Sequence, residues 1–202
     1  MPQSEAQPSE EQAIQDFIAW VDKNRTNGKL GSSNTDCPFM PLELLESHLK
    51  VQGRLRRILT ALFPQSHFLP INPEDIWRLG TVRIFAILIL IGKGRYIKTI
   101  AQWPMLTDQH LPFLSEPLHF PKLADGDTSI WSAFYEKQFQ FCPHVFAGGA
   151  TDTSLEDGTI LPIVEKEFIC RGGSAEIYKI KLHTKYDHLL SQDKTNQVCI
   201  SR

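Results

Sequence analysis

A run of small residues between two extended segments is the strongest candidate for chemistry in this chain. The stretch Glu167 to His183 reads EFICRGGSAEIYKIKLH, and its second half alternates in polarity from Ile177 onward. That alternation predicts a half-buried strand. The residues between the two halves are Arg171, Gly172, Gly173, Ser174 and Ala175. Backbone N–H groups in such a turn can approach phosphate oxygens closely. The pattern predicts a β-hairpin that either covers a phosphate or is simply a turn of small residues.

Other arrangements that could carry chemistry are incomplete. Four cysteines have no C-x-x-C spacing, and seven histidines form no H-x-x-x-H or H-E-x-x-H pair, so we predict no metal site. Asp108 with His110, and Cys142 with His144, lack the third member of a hydrolase site. No Gly-Lys-Ser/Thr follows the glycines, which argues against a P-loop. We therefore assign no catalytic residue.

Charge and composition limit the partners. Twenty-one basic and twenty-three acidic residues give a net charge of −2, which does not favour nucleic acid as a partner. The segment Met1 to Glu11 has no secretory signal pattern, and the apolar run Ile84 to Ile91 is far shorter than the roughly 20 residues of a membrane span. We expect reduced cysteines, no membrane association, and an intracellular protein of the cytoplasm or nucleus.

Apolar residues recur at helical spacing through much of the first two-thirds of the chain. The run Thr81 to Ile91 is apolar on nearly every side, so we predict that this helix lies at the centre of the core. The other predicted helices cover residues 10–25, 41–63 with a break near Gly53, 73–78 and 128–140. Turn-forming residues dominate Thr26 to Pro38, which we predict to be an exposed loop.

Two residue clusters in this helical part have alternative interpretations. The basic cluster of Arg54, Arg56 and Arg57 is typical of a solvated helix face, but it could also contact a phosphate or an acidic partner. The aromatic segment Trp131 to Phe146 is typical of a core, but it could also hold a protein partner. Both alternatives stay open at this point.

The glycine hairpin resembles the first two strands and the glycine-rich loop of a protein kinase. The family pattern is G-x-G-x-x-G-x-V. Its three glycines and its valine fall, in order, on Cys170, Gly172, Ala175 and Ile177. The tail Val198 to Ser201 stands where the family has V-A-I-K, so Ser201 occupies the position of the phosphate-pairing lysine.

A wider resemblance covers the chain from about Phe39 to its end. The segments RIFAILILIGKG, HLPFLSEPLHFP and FYEKQFQFCPHVF precede the hairpin in that order. They are similar to the long N-terminal region that precedes the catalytic domain in a group of filamentous-fungal protein kinases. The resemblance implies a kinase-like chain that stops before the helix with the kinase glutamate, and no H-R-D or D-F-G motif is present.

The resemblance also implies the roles of the hairpin residues. In a complete family member the backbone of Gly172, Gly173, Ser174 and Ala175 would cover the phosphates of Mg-ATP. Ile177 and Cys199 would contribute apolar contacts above the adenine ring. Without the lysine and the two later motifs, we expect no kinase activity and no bound cofactor from this chain.

Together these observations predict a mainly α fold, a helical bundle followed by a short antiparallel β piece of a kinase small lobe. The predicted organisation is a disordered tail (residues 1–8), a helical N-terminal module (9–146), a linker (147–160) and an incomplete kinase small lobe (161–202). We expect a truncated protein kinase-like protein whose helical module is regulatory or binds a protein partner. The alternative is a stand-alone helical protein-binding module unrelated to phosphoryl transfer.

Overall fold

The computed structural model describes residues 10–122, 129–148, 155–171, 173, 176–189 and 198–201 of the 202-residue chain. Contacts between Cα atoms divide the chain into two compact units. A helical unit comprises Met1–Asn24 and Met40–Phe141, and a β unit comprises Arg25–Phe39 and Cys142–Arg202. The chain therefore leaves the helical unit after its first helix and returns to it before the second.

The helical unit is built from seven α-helices in the described residues; six were predicted from the sequence, and the short helix Ile97–Ile100 was not. They are α1 (Glu10–Lys23), α2 (Leu42–Lys50), α3 (Arg54–Leu62), α4 (Pro73–Arg78), α5 (Val82–Leu90), α6 (Ile97–Ile100) and α7 (Ser129–Gln138). Six consecutive residues of α5, from Ile84 to Ile89, are each at most 1% exposed. The prediction that this helix lies at the centre of the core is confirmed. Gly53, with φ of 76°, separates α2 from α3.

Helix α5 takes its N-terminal cap from a distant residue. Thr81 at the N-cap position makes no side-chain cap hydrogen bond. Instead, the Arg83 N–H donates to Asp108 Oδ2 at 2.8 Å and the Ile84 N–H donates to Asp108 Oδ1 at 3.0 Å. Burial raises the pKa of the Asp108 carboxyl, and these two N–H donors act against that rise. One carboxylate thus satisfies two backbone donors that the helix leaves without partners.

A buried glutamine holds the long proline-containing segment between α6 and α7 in place through two hydrogen bonds. Gln138, which is fully buried, accepts from the Phe113 N–H at 2.8 Å and donates to the Phe113 carbonyl at 2.9 Å. Four prolines in the segment from Trp103 to Pro121 disfavour a long helix, and the helical piece of this segment is a single 3-10 turn, Asp108–His110.

The β unit contains eight strands in the described residues: β1 (Thr26–Leu30), β2 (Asp36–Phe39), β3 (Phe146–Ala147), β4 (Ile160–Leu161), β5 (Ile163–Arg171), β6 (Glu176–Leu182), β7 (Asp187–His188) and β8 (Val198–Ser201). They form three small sheets with the orders β2-β1-β4, β3-β7 and β5-β6-β8. Only the β3-β7 pair is parallel. Two apolar clusters support these sheets, one around Phe39 and Ile160 and one around Ile163 and Ile180.

The prediction of a mainly α chain, a helical bundle followed by a short β piece, is wrong. Helices and small sheets are mixed, and two strands lie near the N-terminus, within the segment Thr26 to Pro38 that was predicted to be an exposed loop. Gly28 explains why this hairpin can join the later strands. A Cβ atom at Gly28 would lie 2.6 Å from the carbonyl oxygen of Leu161, too close for any side chain. The glycine within β1 therefore reflects close strand packing, whereas Gly31, Ser32 and Ser33 form the turn between β1 and β2.

The observed units differ in their boundaries from the predicted organisation. The predicted helical module, residues 9–146, includes the hairpin 25–39, which groups with the C-terminal residues. The predicted linker, 147–160, contains the end of β3 and the start of β4. Residues 1–8 lie outside the described part of the chain.

Candidate functional site

The predicted glycine hairpin is formed by β5 and β6, which pair antiparallel from Ile163↔Leu182 to Arg171↔Glu176. An irregularity between Phe168 and Cys170 shifts the register by one residue. Of the predicted turn residues, Gly173 is described, is exposed and has open space where a Cβ would lie. Gly172, Ser174 and Ala175 lie outside the described residues.

A network of three side chains closes the hairpin at the base of its turn. The Arg171 guanidinium forms an ion pair with Glu176, and its Nε donates to Glu176 Oε1 at 3.0 Å. The Tyr178 hydroxyl donates to Glu176 Oε2 at 2.5 Å. The hydrogen bond from Tyr178, followed by that from Arg171, lowers the pKa of Glu176. The charge of Arg171 is thus neutralised directly beside the predicted phosphate-covering turn.

Ile177, which was predicted to contact adenine, shares its strand face with charged residues. Lys179 and Lys181 follow at alternate positions of β6, and this face meets Glu167 and Glu165 of β5. Lys181 Nζ lies 2.5 Å from Glu165 Oε1, and Lys179 Nζ lies 4.0 Å from Glu167 Oε2. Beyond Ile177 this face is therefore a ladder of ion pairs.

Strand β8 places the remaining predicted positions beside β6. Cys199 pairs with Lys179, and Ser201 pairs with Ile177. The backbone register thus brings Cys199, Ile177 and the position of the family's lysine to neighbouring sites on one sheet. At the lysine position the residue is serine.

The cations of β5 and β6 all have partners. Arg171, Lys179 and Lys181 each pair with a carboxylate. The fourth, Lys166, lies 3.8 Å from the centre of the Tyr178 ring. An anion at this hairpin would have to compete with these contacts, so the described side chains provide no ready charge for a phosphate.

The aromatic segment Trp131 to Phe146 is mainly core. Phe134 is fully buried, and Phe139 and Phe141 are 5% and 1% exposed. Trp131 and Tyr135 are half-buried and contact neighbouring rings of the same unit. Phe146 belongs to β3 of the other unit. As a surface for a protein partner, this segment offers little accessible ring area.

A cleft between α1 and the start of α3 is a feature that the sequence motifs did not indicate. We call it the arginine cleft; it has a volume of about 650 Å3 and is lined chiefly by Phe17, Trp20, His48, Arg54, Arg56 and Arg57. The Trp20 and His48 rings stack at 3.6 Å with an angle of 19° between their planes. Arg54 Nη1 donates to the His48 carbonyl at 2.7 Å and to His48 Nδ1 at 2.9 Å.

The sequence identified the three arginines as a cluster but missed the stacked Trp20 and His48 rings beside them. Trp20 and His48 are 28 positions apart and belong to different helices. Phe17 and Trp20 at i, i+3 do predict a shared face of α1, since residues three apart are neighbours on a helix. The partner of that face depends on helix packing, which such spacing does not reveal.

The two residue pairs considered as parts of a hydrolase site have other contacts. Asp108 caps α5, and His110 Nδ1 lies 2.9 Å from Thr107 Oγ1. His144 packs edge-on against Phe146, and burial lowers its pKa. Within the described ranges, no group of three or more His, Cys, Asp or Glu side chains is placed to hold a metal ion.

None of the helices in the described part of the chain has both the length and the apolar character needed to cross a membrane. Comparison with protein-family models, curated proteins and solved structures gave no match to this chain.

Proposed function

We propose that this chain is a kinase-like protein whose helical unit has a regulatory or interaction role, and that these 202 residues neither bind Mg-ATP with useful affinity nor transfer phosphate. The observation that carries the proposal is the β5-β6-β8 sheet. Three antiparallel strands in that order, with a glycine-containing turn between the first two, match what the resemblance implies for the start of a kinase small lobe. We place this role inside the cell, in the cytoplasm or nucleus.

The charges at the sheet support the noncatalytic part of the proposal. Phosphoryl transfer depends on a lysine at the phosphates, metal-bound charge neutralisation and a base carboxylate. Ser201 stands at the lysine position beside Ile177, and Arg171 is already paired with Glu176. The sequence contains no H-R-D or D-F-G motif to supply the base and the metal ligands.

Thermal melting in the presence of Mg-ATP tests this proposal. A ligand at a hundred times its dissociation constant stabilises a fold by about 2.7 kcal/mol, so micromolar binding would be obvious at millimolar nucleotide. We expect no change in melting temperature. A reproducible rise of several degrees that is lost in Gly172→Val but kept in a Lys98→Ala control would overturn the proposal and make the hairpin a nucleotide site.

A second candidate, a stand-alone helical protein-binding module, is favoured by exposed apolar side chains in the segment between α6 and α7. Met105, Leu114 and Leu118 are 66%, 57% and 81% exposed, and they line one groove of the helical unit. The sequence of the messenger RNA beyond the codon for Arg202 distinguishes the two candidate functions. A reading frame that continues past Arg202 into H-R-D and D-F-G motifs supports the kinase-like protein, and a stop codon there supports the stand-alone module.

A further inference from the structure

The region around α3 has an unusual charge distribution. From Ser47 to Pro73 the chain contains four Lys or Arg residues and no Asp or Glu, although its net charge is −2. Three of these cations, Arg54, Arg56 and Arg57, lie in the first turn of α3, where no acidic residue is present. Cations at a helix N-terminus oppose the helix dipole and destabilise the helix. Helix stability therefore does not explain this cluster.

Only one of the three arginines has a structural role that the contacts reveal. Arg54 is half-buried and donates to the last turn of α2 through the carbonyl of His48. Arg56 and Arg57 are exposed, and their guanidinium groups make no hydrogen bond or ion pair with any described residue. Two adjacent positive charges are thus available at the rim of the arginine cleft.

The floor of the arginine cleft is apolar and aromatic. Phe17 and Ile58 are each 1% exposed, and the stacked Trp20 and His48 rings form the adjoining wall. The volume of about 650 Å3 is typical of a pocket that holds a side chain or a small ligand. Asp16 supplies the one carboxylate among the described residues that line the cleft, and it already accepts a hydrogen bond from Gln12 Nε2 at 2.7 Å.

We propose that the arginine cleft binds an acidic peptide segment of a partner protein. An apolar side chain of the peptide packs against the apolar and aromatic residues that line the cleft. Flanking carboxylates of the peptide accept hydrogen bonds from Arg56 and Arg57. Guanidinium groups bind carboxylates in a bidentate manner, which supplies specificity as well as affinity. The inference names the partner chemistry of the interaction role proposed above and rests on that role.

The number of available positive charges at the cleft favours a peptide over a nucleic acid as the ligand. Nucleic-acid binding proteins commonly neutralise about 6–10 phosphates, and their affinity depends on that number. The cleft offers two unpaired guanidinium groups and also contains the carboxylate of Asp16. Such a surface matches one or two carboxylates beside an apolar group.

Fluorescence anisotropy with synthetic peptides tests the proposal. The probes are fluorescein-labelled peptides of about 12 residues, each with several glutamates around one apolar residue whose type and position vary across the set. The matched controls carry glutamine in place of every glutamate. We expect at least one acidic peptide to bind the full chain, and its glutamine counterpart to bind about tenfold more weakly or not at all.

Variants locate the binding site. The double variant Arg56→Ala, Arg57→Ala should weaken the acidic peptide about tenfold, and Lys23→Ala, Lys98→Ala, which removes two other exposed cations, should leave affinity unchanged. Circular dichroism confirms that both variants fold. Equal binding of glutamate and glutamine peptides, or no binding by any peptide, would overturn the proposal. Tighter binding of single-stranded DNA than of every peptide would also overturn it.

The outcomes separate this proposal from the proposed function. Loss of peptide binding in Leu118→Asp but not in the double arginine variant would refute the arginine cleft and still leave an interaction role for the helical unit. A melting shift with Mg-ATP would refute the proposed lack of nucleotide binding, and it would not affect binding at the cleft.

Discussion

At the scale of single residues, His48 joins three parts of the helical unit. Its ring stacks on Trp20 of α1, and its Nδ1 faces the Arg54 guanidinium of α3. Because a guanidinium can only donate, Nδ1 accepts this hydrogen bond and carries no proton. Burial, and secondarily the charge of Arg54, lowers the pKa of His48 to about 4.

This histidine makes the stability of the helical unit sensitive to acid. In the unfolded chain His48 takes up a proton near its ordinary pKa of about 6.5, whereas in the folded chain it stays neutral until about pH 4. Its contribution to stability is therefore complete above about pH 6.5 and is lost as the pH falls toward 4. The free energy of unfolding, measured with urea near pH 7 and near pH 5, should fall between these two pH values. This fall should be smaller for His48→Phe than for the wild type.

A matched control isolates this effect. His67→Phe changes an exposed histidine of the same unit and should keep the wild-type dependence on pH. Burial also lowers the pKa of His144. This residue therefore makes stability depend on pH in the same direction in all three proteins. If the decrease in stability were the same in His48→Phe and in the wild type, His48 would not be the responsible group.

At the scale of elements, helix α5 shows how a central helix can depend on a distant residue. Its apolar sequence provides no side chain to cap its first turn, and Asp108 provides both acceptors. The residue before the helix, Thr81, hydrogen bonds instead to the Ile76 carbonyl at 3.3 Å. The start of the core helix and the position of the segment that follows α6 are thereby coupled.

Removal of this cap should destabilise the helical unit. Asp108→Ala leaves the N–H groups of Arg83 and Ile84 without their acceptors, and loss of an N-cap typically costs about 0.5–2 kcal/mol. The midpoint of urea unfolding should fall accordingly. Asp16→Ala, which removes an exposed carboxylate of α1, serves as the control and should leave the midpoint nearly unchanged. An unaltered midpoint in Asp108→Ala would show that solvent satisfies these donors equally well.

The elements also show what the sequence can predict. Apolar periodicity predicted most of the amphipathic helices and β6 correctly, because each of these elements buries one face, whereas the short helix α6 was missed. The hairpin of β1 and β2 lacks such alternation: Asn27 and Gly28 occur within one strand and Pro38 within the other. Its apolar partner Ile160 comes about 130 residues later, so local patterns contain no sign of the pairing.

The candidate sites could likewise be predicted from the sequence only in part. The alternation of Ile177, Lys179 and Lys181 was visible in the sequence, but their pairing with Glu165 and Glu167 depends on a register that shifts near Cys170. The arginine cluster was visible as well. The unpaired state of Arg56 and Arg57 and the rings of Trp20 and His48 beside them depend on helix packing.

At the scale of the whole molecule, the β unit is made from two separate parts of the chain. The hairpin Arg25–Phe39 belongs to it, yet both ends of the hairpin continue into the helical unit. Phe39 is fully buried with Ile160 and Tyr186, which lie near the C-terminal end. A protein cut after the helical unit therefore keeps a hairpin whose apolar partners are missing.

This organisation makes a prediction about fragments. A fragment of residues 1–146, the predicted helical module, should aggregate or elute as oligomers, because Phe39 and the β1 edge are uncovered. Replacement of residues 25–39 in that fragment by a short glycine–serine linker should restore a monomer with a cooperative melt. Size-exclusion chromatography and circular dichroism check both outcomes. A well-behaved monomer from the unmodified fragment would show that the hairpin does not need its C-terminal partners.

The pairing of β1 with β4 has a consequence for synthesis on the ribosome. Lys29 pairs with Leu161 and Leu30 pairs with Ile160, so about 120 residues must be translated after the hairpin before its sheet can be completed. At about 5–20 residues per second, this delay lasts roughly 6–24 seconds. During that time the helical unit can fold, while the nascent hairpin presents an open strand edge of the kind that chaperones protect. Slow codons between α7 and β4 would extend this vulnerable interval and lower the yield of native protein.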